Sequence, residues 1–309
     1  MDKEWKIKYG DYLLHGDLSS ATIIKNENFN HRLFKFRCFD EKRYWVDWIK
    51  GTIFINSPKM FNDPFDCLIN ISPETRKQML SEATVKFLEQ KVKLSKIDYN
   101  RLNFADDVLE ASCVVLEQHG IKVDRELLNK NLRSVNFFEK HYDPFLRDKL
   151  KVSCFSETND SILMWSHYTN HHQGFCIEYD FSNDEDVVNL LFPVSYNIKR
   201  YMMTPQDLNS NKWFIPTVLC KSPEWAYEQE WRYINALNPD SFDVHPAENK
   251  PAILLAPNSI KAIFLGAEFI KYHGDYLVEI KRLTQALNIE LYEMHFHDQE
   301  YRLIPDIIS

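Results

Sequence analysis

An α+β fold is predicted for this chain: a mixed, mainly antiparallel sheet core carrying a helical insertion. Three observations predict it. Strand-like patterning opens at residues 32–39 and returns at 152–155, 174–180, 192–196, 230–234, 253–256 and 260–265. Between the first two of these, from Pro73 to about Lys149, apolar residues take helical spacing instead, as in Leu80, Ala83 and Phe87 or Val108, Ala111 and Val115. The 309 residues are 44% hydrophobic and 14% aromatic, enough for a large buried core.

Each element follows from local chemistry. Residues 1–31 are polar and weakly patterned and read as a helical or irregular lead-in, leaving 32–309 as a single domain with its insertion at 73–150. In the first strand, Leu33, Lys35, Arg37 and Phe39 share one face, and Phe34, Phe36 and Cys38 the other. A short helix over Arg43–Lys50 stops at Gly51, and a strand follows over 52–56. Pro58, Asn62-Asp63 and Pro64 mark an ordered loop, with Asx-turn chemistry at Asn62 and Asp63, that closes over the site. Gly120 can end a helix within the insertion. Beyond the strands named above, a helix over about 271–287 and a strand pair near 291–296 and 301–304 complete the chain.

Bulk properties exclude several classes. A net charge of -8 creates no global field toward nucleic acid or anionic membranes. The six cysteines, at 38, 67, 113, 154, 176 and 220, form no CxxC pair, so neither a zinc ribbon nor a disulfide scaffold is supported. The charged start Met1-Asp2-Lys3-Glu4-Trp5 lacks the apolar core of a signal peptide, and no run approaches the ~18 apolar residues of a span. A cytoplasmic protein with no membrane partner is expected. Glycine is sparse, 7 residues in all, and neither GxGxxG nor GxxxxGK[ST] occurs. Any bound phosphate must therefore be held by side chains.

Several constellations carry chemistry. Lys35 and Arg37 offer two cations to one strand face, which calls for solvent or for anions. Ser153 and Ser156 bracket Cys154-Phe155; their hydroxyls can orient a carboxylate or a ligand hydroxyl, or cap a turn, and no GxSxG elbow surrounds them. Trp165, His167 and Tyr168 lie on a short helix, with Trp165 and Tyr168 available for packing or stacking and His171 and His172 in an exposed loop after it. No HExxH accompanies these histidines, so no metal is expected. Glu228 and Glu230, read as strand residues, would face one side roughly 6–7 Å apart. Such a pair needs a cation, for which Arg232 is available, or is a surface Glu-Arg ladder over a buried Trp231.

Leu33-Phe34-Lys35-Phe36-Arg37, Ser57-Pro58 with Phe61-Asn62-Asp63-Pro64-Phe65-Asp66, Ser153-Cys154-Phe155-Ser156, Met164-Trp165-Ser166-His167-Tyr168, Gly174-Phe175-Cys176-Ile177-Glu178-Tyr179 and Glu230-Trp231-Arg232 together resemble the bacterial family known as domain of unknown function 2971, from about residue 32 onward. That family is associated with mobile and phage-defence loci. A more distant resemblance is to ADP-ribosyltransferases of the Arg-Ser-Glu type, and it implies their fold with NAD as substrate. Arg37, with Lys35 beside it, would clamp the pyrophosphate. Ser156 would orient the nicotinamide ribose and the catalytic glutamate, Glu230 would bond the ribose 2'-hydroxyl, and Glu228 would activate an acceptor, protein or nucleic acid. Trp165, His167 and Tyr168 would wall the nucleotide site. Here the strand reads Ser-Cys-Phe-Ser where that family has Ser-Thr-Ser, so Ser153 and Ser156 both stand as the site serine. Two alternatives remain in other classes: a non-catalytic sensor that binds a nucleotide or a partner in the same cleft, and a metal-independent hydrolase or nuclease.

Overall fold

The alternation at residues 32–37 is a strand in the interior of an eight-stranded sheet. The computed structural model describes residues 4–40, 44–126, 128, 150–209, 214–235 and 252–308. Two units divide the chain. Met1–Asp66, Lys149–Lys199 and Leu219–Ser309 form the first, and Cys67–Asp148 with Arg200–Val218 form the second.

The first unit holds the sheet. Its strands are β1 (Arg32–Arg37), β2 (Thr52–Phe54), β3 (Val152–Ser156), β4 (Phe175–Asp180), β5 (Leu191–Pro193), β6 (Ser195–Tyr196), β7 (Cys220–Lys221), β8 (Glu230–Ile234), β9 (Ala252–Leu254), β10 (Ile260–Leu265), β11 (Glu290–Phe296) and β12 (Leu303–Ile307). Their order is β12-β11-β10-β4-β1-β3-β8-β5, while β2 pairs with β9 and β6 with β7. Within the large sheet only β10 and β11 run parallel, with the helix Leu277–Leu287 between them in sequence. The fold is thus α+β with a mixed, mostly antiparallel sheet.

The pleat sends alternate residues to two apolar cores. Leu33, Phe155, Ile177, Tyr179 and Trp231 face one side, with Trp45, Trp48 and Ile53 packed there. Phe34, Phe36, Cys176 and Phe264 face the other, with Met164 and Trp165 of a short helix over Ile162–Tyr168. The lead-in forms two helices, α1 (Glu4–Leu14) and α2 (Leu18–Asn28); Asp17 caps the second by accepting from the Ser20 amide. Beyond α2, Phe29 lies against Trp231 with ring centroids 4.4 Å apart.

In the second unit the helical spacing forms α4 (Pro73–Glu89), α5 (Lys96–Phe104) and α6 (Val108–Gln118), after α3 (Tyr44–Ile49) of the first unit. Ser72 caps α4, and Ser95 with Asp98 makes a capping box on α5. Leu88, Leu102, Cys113 and Val115 form the core. No strand occurs among the described residues of 73–150; residues 127 and 129–149 of the expected insertion, and Arg43 of the expected third helix, lie outside the described residues. The expected helix over 271–287 is interrupted. Phe269–His273 ends at Gly274, a 3-10 turn covers Gly274–Tyr276, and the helix resumes over Leu277–Leu287, in keeping with the poor helix propensity of glycine. No described helix is long and apolar enough to cross a membrane.

Lys25 of α2 is fully buried, its ammonium donating to the Val188 carbonyl at 3.0 Å, with the Phe192 ring centroid 5.0 Å away. Burial pulls its pKa down to about 8 from 10.5. Between those values the unfolded chain binds more protons than the folded one, so stability rises as pH rises through that window, by at most about 3 kcal/mol. In urea unfolding followed by tryptophan fluorescence, Lys25→Met should be more stable than wild type by about 1 kcal/mol at pH 7 and should lose the rise above pH 8.

Candidate functional site

The site begins as a gap in the sheet. β1 pairs with β4 along its whole length, from Arg32↔Asp180 to Arg37↔Phe175, yet its register with β3 is the single pair Phe34↔Ser156. Beyond that pair a cavity of about 340 Å³ opens, lined by consecutive residues of both strands, 34–37 and 152–156. Because neighbours on a strand point to opposite faces, the cavity reaches both sides of the sheet. Phe61 and Asn62 of the loop after β2 complete its wall with Tyr168, Lys221 and Glu228, so this loop closes over the site.

One end is cationic. Lys35 Nζ reaches across the gap, donating to Ser153 Oγ at 2.8 Å and to the Cys154 carbonyl at 2.5 Å. Burial pushes its pKa well below the ordinary lysine value, and the charge of Arg37 adds to the shift. The Arg37 guanidinium carbon lies 3.9 Å from the ring centroid of Trp48, and its buried Nε has no hydrogen-bond partner. Burial lowers this group only to about 10, so it is charged at neutral pH.

The backbone that carries Arg37 is held by close packing. Asn170, His171 and His172 form a left-handed turn (φ 49, 57 and 64) after the Ile162–Tyr168 helix. A Cβ on Gly174 would lie 2.0 Å from the Arg37 carbonyl oxygen, and one on Gly266 would lie 2.1 Å from that of His172. Only residues without a Cβ permit these approaches.

The other end is a buried ionic network. Lys221 Nζ lies 2.6 Å from Glu228 and 3.1 Å from Glu230. Arg232 bonds Glu230 through Nε at 2.8 Å and holds both oxygens of Asp66, at 2.7 and 2.6 Å. The Tyr168 hydroxyl donates to Glu228 at 2.5 Å, and Ser156 Oγ donates to the Glu228 carbonyl at 2.7 Å. Burial alone would raise Glu230, but Arg232 and Lys221 override it and hold the carboxyl well below the usual carboxylate range. Glu228 moves the other way: burial and the charge of Glu230 raise it, against the opposing effect of Lys221. Lys221 is lowered by burial and raised further by Glu230 and Glu228, so its ammonium is kept.

Eight of the residues singled out from the sequence, Lys35, Arg37, Ser153, Ser156, His167, Tyr168, Glu228 and Glu230, line this one cavity. Several expectations about them need correction. Glu228 is not a strand residue. It ends a 3-10 helix over Pro223–Glu228, and Gln229 takes a left-handed conformation before β8 begins at Glu230. Nor is the Glu-Arg set a surface ladder, since Glu228, Glu230 and Arg232 are 3%, 4% and 0% exposed. Arg37 and Glu230, which the sequence reading brings to one face of one cleft, project from opposite faces, because Phe34, Ser156 and Glu230 are register partners and Arg37 lies three residues from Phe34. They meet the same cavity only because β1 and β3 part. Trp165 is no wall: it is fully buried, its indole donating to the Asn159 carbonyl at 2.6 Å. His172 is buried too, stacked beside Trp165, whereas His171 and His167 are exposed. Ser153 and Ser156 serve different ends, the first bonding Lys35 and the second the backbone of Glu228.

Sequence reasoning missed Lys221, Asp66 and Trp48 as site residues. The usable signal was charge: two carboxylates drawn into one core require more than one cation.

Removing Lys221 should expose the cost of that network. Lys221→Met leaves Glu228 and Glu230 facing each other in a buried place and should destabilise the protein by about 3–5 kcal/mol in urea unfolding. Adding Glu228→Gln should recover part of the loss, a coupling measurable by a double-mutant cycle.

No curated protein and no solved structure matches the chain. Residues 164–233 match a family model described as Protein of unknown function (DUF2971), a segment that runs from the helix carrying Tyr168 through Lys221, Glu228 and Glu230 to Tyr233.

Proposed function

We propose that the sheet-bearing unit is an enzyme acting on a nucleotide-type anion, with NAD as substrate and ADP-ribose passed to an acceptor. One observation carries the anion: Arg37 is a half-buried, charged guanidinium on the cavity wall, with a buried, unpartnered Nε and no carboxylate at ion-pair distance among the described residues. Lys221 and Arg232, the cations at the other end, are both paired to carboxylates. A phosphate oxygen satisfies what Arg37 lacks.

The reaction would take place at the carboxylate end. Departure of nicotinamide leaves an oxocarbenium-like ribose, which a carboxylate stabilises. Both oxygens of Glu230 are held by Arg232. The role passes to Glu228, which lies outside the Arg232 clamp and accepts from the neutral Tyr168 hydroxyl on one oxygen and from Lys221 on the other. Glu230 and Arg232 then position it, and Ser156 fixes its backbone. This reading draws on the resemblance to ADP-ribosyltransferases and extends to a part in phage defence. A second reading, a non-catalytic nucleotide sensor, draws on the same network, because Glu228 accepts from Tyr168 on one oxygen and from Lys221 on the other.

The two readings separate in titrations with NAD followed by mass spectrometry of products and of lysate macromolecules. On the enzyme reading, Arg37→Ala weakens NAD binding by roughly 10- to 100-fold. Glu228→Gln retains binding and loses turnover by about 100-fold. Since Glu228 is raised and must be ionised, turnover should fall on acidification at a pH above the range of an ordinary carboxylate, roughly 4–4.5. Binding without released nicotinamide would select the sensor, and no binding at millimolar NAD would remove the nucleotide assignment.

A further inference from the structure

We infer that Lys35 is an amine nucleophile, placed to form a Schiff base with the carbonyl group of a small molecule whose anionic group sits on Arg37. The hydrogen bonds set this out. Lys35 Nζ lies 2.8 Å from Ser153 Oγ and 2.5 Å from the carbonyl oxygen of Cys154. Ser153 gives its own hydroxyl hydrogen to the Phe54 carbonyl at 3.1 Å, so Nζ is the donor toward Ser153, as it must be toward Cys154. A neutral amine has two hydrogens and one lone pair, and these two acceptors use both hydrogens. An ammonium would carry a third, and no carboxylate stands at ion-pair distance from Nζ among the described residues to receive it.

Burial and the charge of Arg37 disfavour the ammonium, and they outweigh the aromatic faces, Cys154 and Glu230, which favour it. Arg37 is on the same strand, roughly 6–7 Å along it. Phe155 and Trp48 present ring centroids at 4.6 and 5.8 Å. From the other packed strands come the Cys154 thiol, itself raised by burial, and Glu230, which is held by Arg232. Burial beside a second cation is one of the two environments that lower a lysine enough to make it nucleophilic near neutral pH. The cavity brings the group within reach of a ligand.

The step balances without an added oxidant. The Nζ lone pair attacks the carbonyl carbon, a C–N bond forms, and the carbonyl oxygen leaves as water with the two amine hydrogens. The substrate class is an aldehyde or ketone bearing a phosphate or carboxylate. The anionic half of that description rests on the assignment of Arg37 above, while the amine half rests on the burial and hydrogen bonding of Lys35 and on its nearness to the Arg37 charge.

The test uses the intact protein at pH 7. It is incubated with pyridoxal 5'-phosphate or, separately, with pyridoxal, which has the same aldehyde and no phosphate. Borohydride then adds hydride to the imine carbon, and peptide mass spectrometry maps the fixed label. Lys35 should be labelled by pyridoxal 5'-phosphate at least tenfold more than Lys8 and Lys271, which are exposed. Between pH 7 and pH 9 its share should change less than about threefold, while exposed lysines gain on the order of tenfold per pH unit. Equal labelling of Lys35 by both aldehydes would support the amine and count against an anion site at Arg37. Labelling of Lys35 no greater than that of Lys8 and Lys271 with either aldehyde would overturn the inference, whatever NAD titrations show. In Arg37→Ala, Lys35 still labelled but with equal yield from the two aldehydes would support the anion site, and a retained preference for pyridoxal 5'-phosphate would overturn it.

Discussion

The parting of β1 from β3 beyond Phe34↔Ser156 is the constraint on which the site depends. A sheet interior is costly to open, because each strand group that loses its ladder partner must find another or remain buried and unsatisfied. Here Lys35 takes over part of that role by bonding the Cys154 carbonyl. A polar side chain thus stands where a ladder bond would, and the opening it leaves is lined by polar groups that a continuous sheet would have kept apart. Arg37 and Glu230 show the consequence, since they belong to opposite faces and share a cavity only through this gap.

The network at the other end follows from the same opening. Asp66, Arg232, Glu230, Lys221 and Glu228 are buried together, and desolvation of such charges costs several kcal/mol per ion before their attraction offsets it. Stability is therefore a weak reason for building it. Its effect is positional: Arg232 ties Asp66, at the end of the loop that closes over the cavity, to Glu230 at the start of β8, and Lys221 ties β7 to Glu228. Two separate stretches of chain, the loop ending at Asp66 and residues 221–232, are fixed relative to one another by bonds of defined direction. The carboxylates respond in opposite senses to this enclosure. Glu230, held by Arg232, is the fixed anion, while Glu228, with its phenolic donor, is the group whose charge can change.

How far the sequence disclosed this depends on what each signal measures. Period-two alternation located β1, β3, β4, β8 and β10, because a half-buried strand imposes it. It could not show that β1 and β3 pair at one point only, since pairing of non-consecutive strands is decided by the whole sheet. The same limit explains Glu228. Extending the alternation of β8 backward puts Glu228 and Glu230 on one face, but Gln229 adopts a left-handed turn that returns the two carboxylates to a common partner by another route. Trp165 and His172 were misplaced for a related reason: aromatic and imidazole rings near a site are as useful to a core as to a wall. Lys221 carried no local pattern, and Asp66 was legible as one of the loop carboxylates but not as the partner of Arg232.

What keeps the cationic end in shape is backbone packing rather than charge. Two of only seven glycines, Gly174 and Gly266, sit where a single added carbon would strike a carbonyl oxygen at about 2 Å, one of them that of Arg37. The left-handed turn at residues 170–172 is pressed between these contacts, with the His172 carbonyl also accepting from the Glu268 amide at 3.0 Å. Sustaining three consecutive left-handed residues costs on the order of 1 kcal/mol or more each, which persists only where the surroundings leave no alternative. The end of β1 is thereby clamped from β4 and from the chain after β10, and Trp48 covers the flat face of the Arg37 guanidinium. The guanidinium is half-buried, and its Nε is buried without a partner among the described residues. On the proposed reading, an anion that supplies an acceptor there would bind without first ordering the arginine.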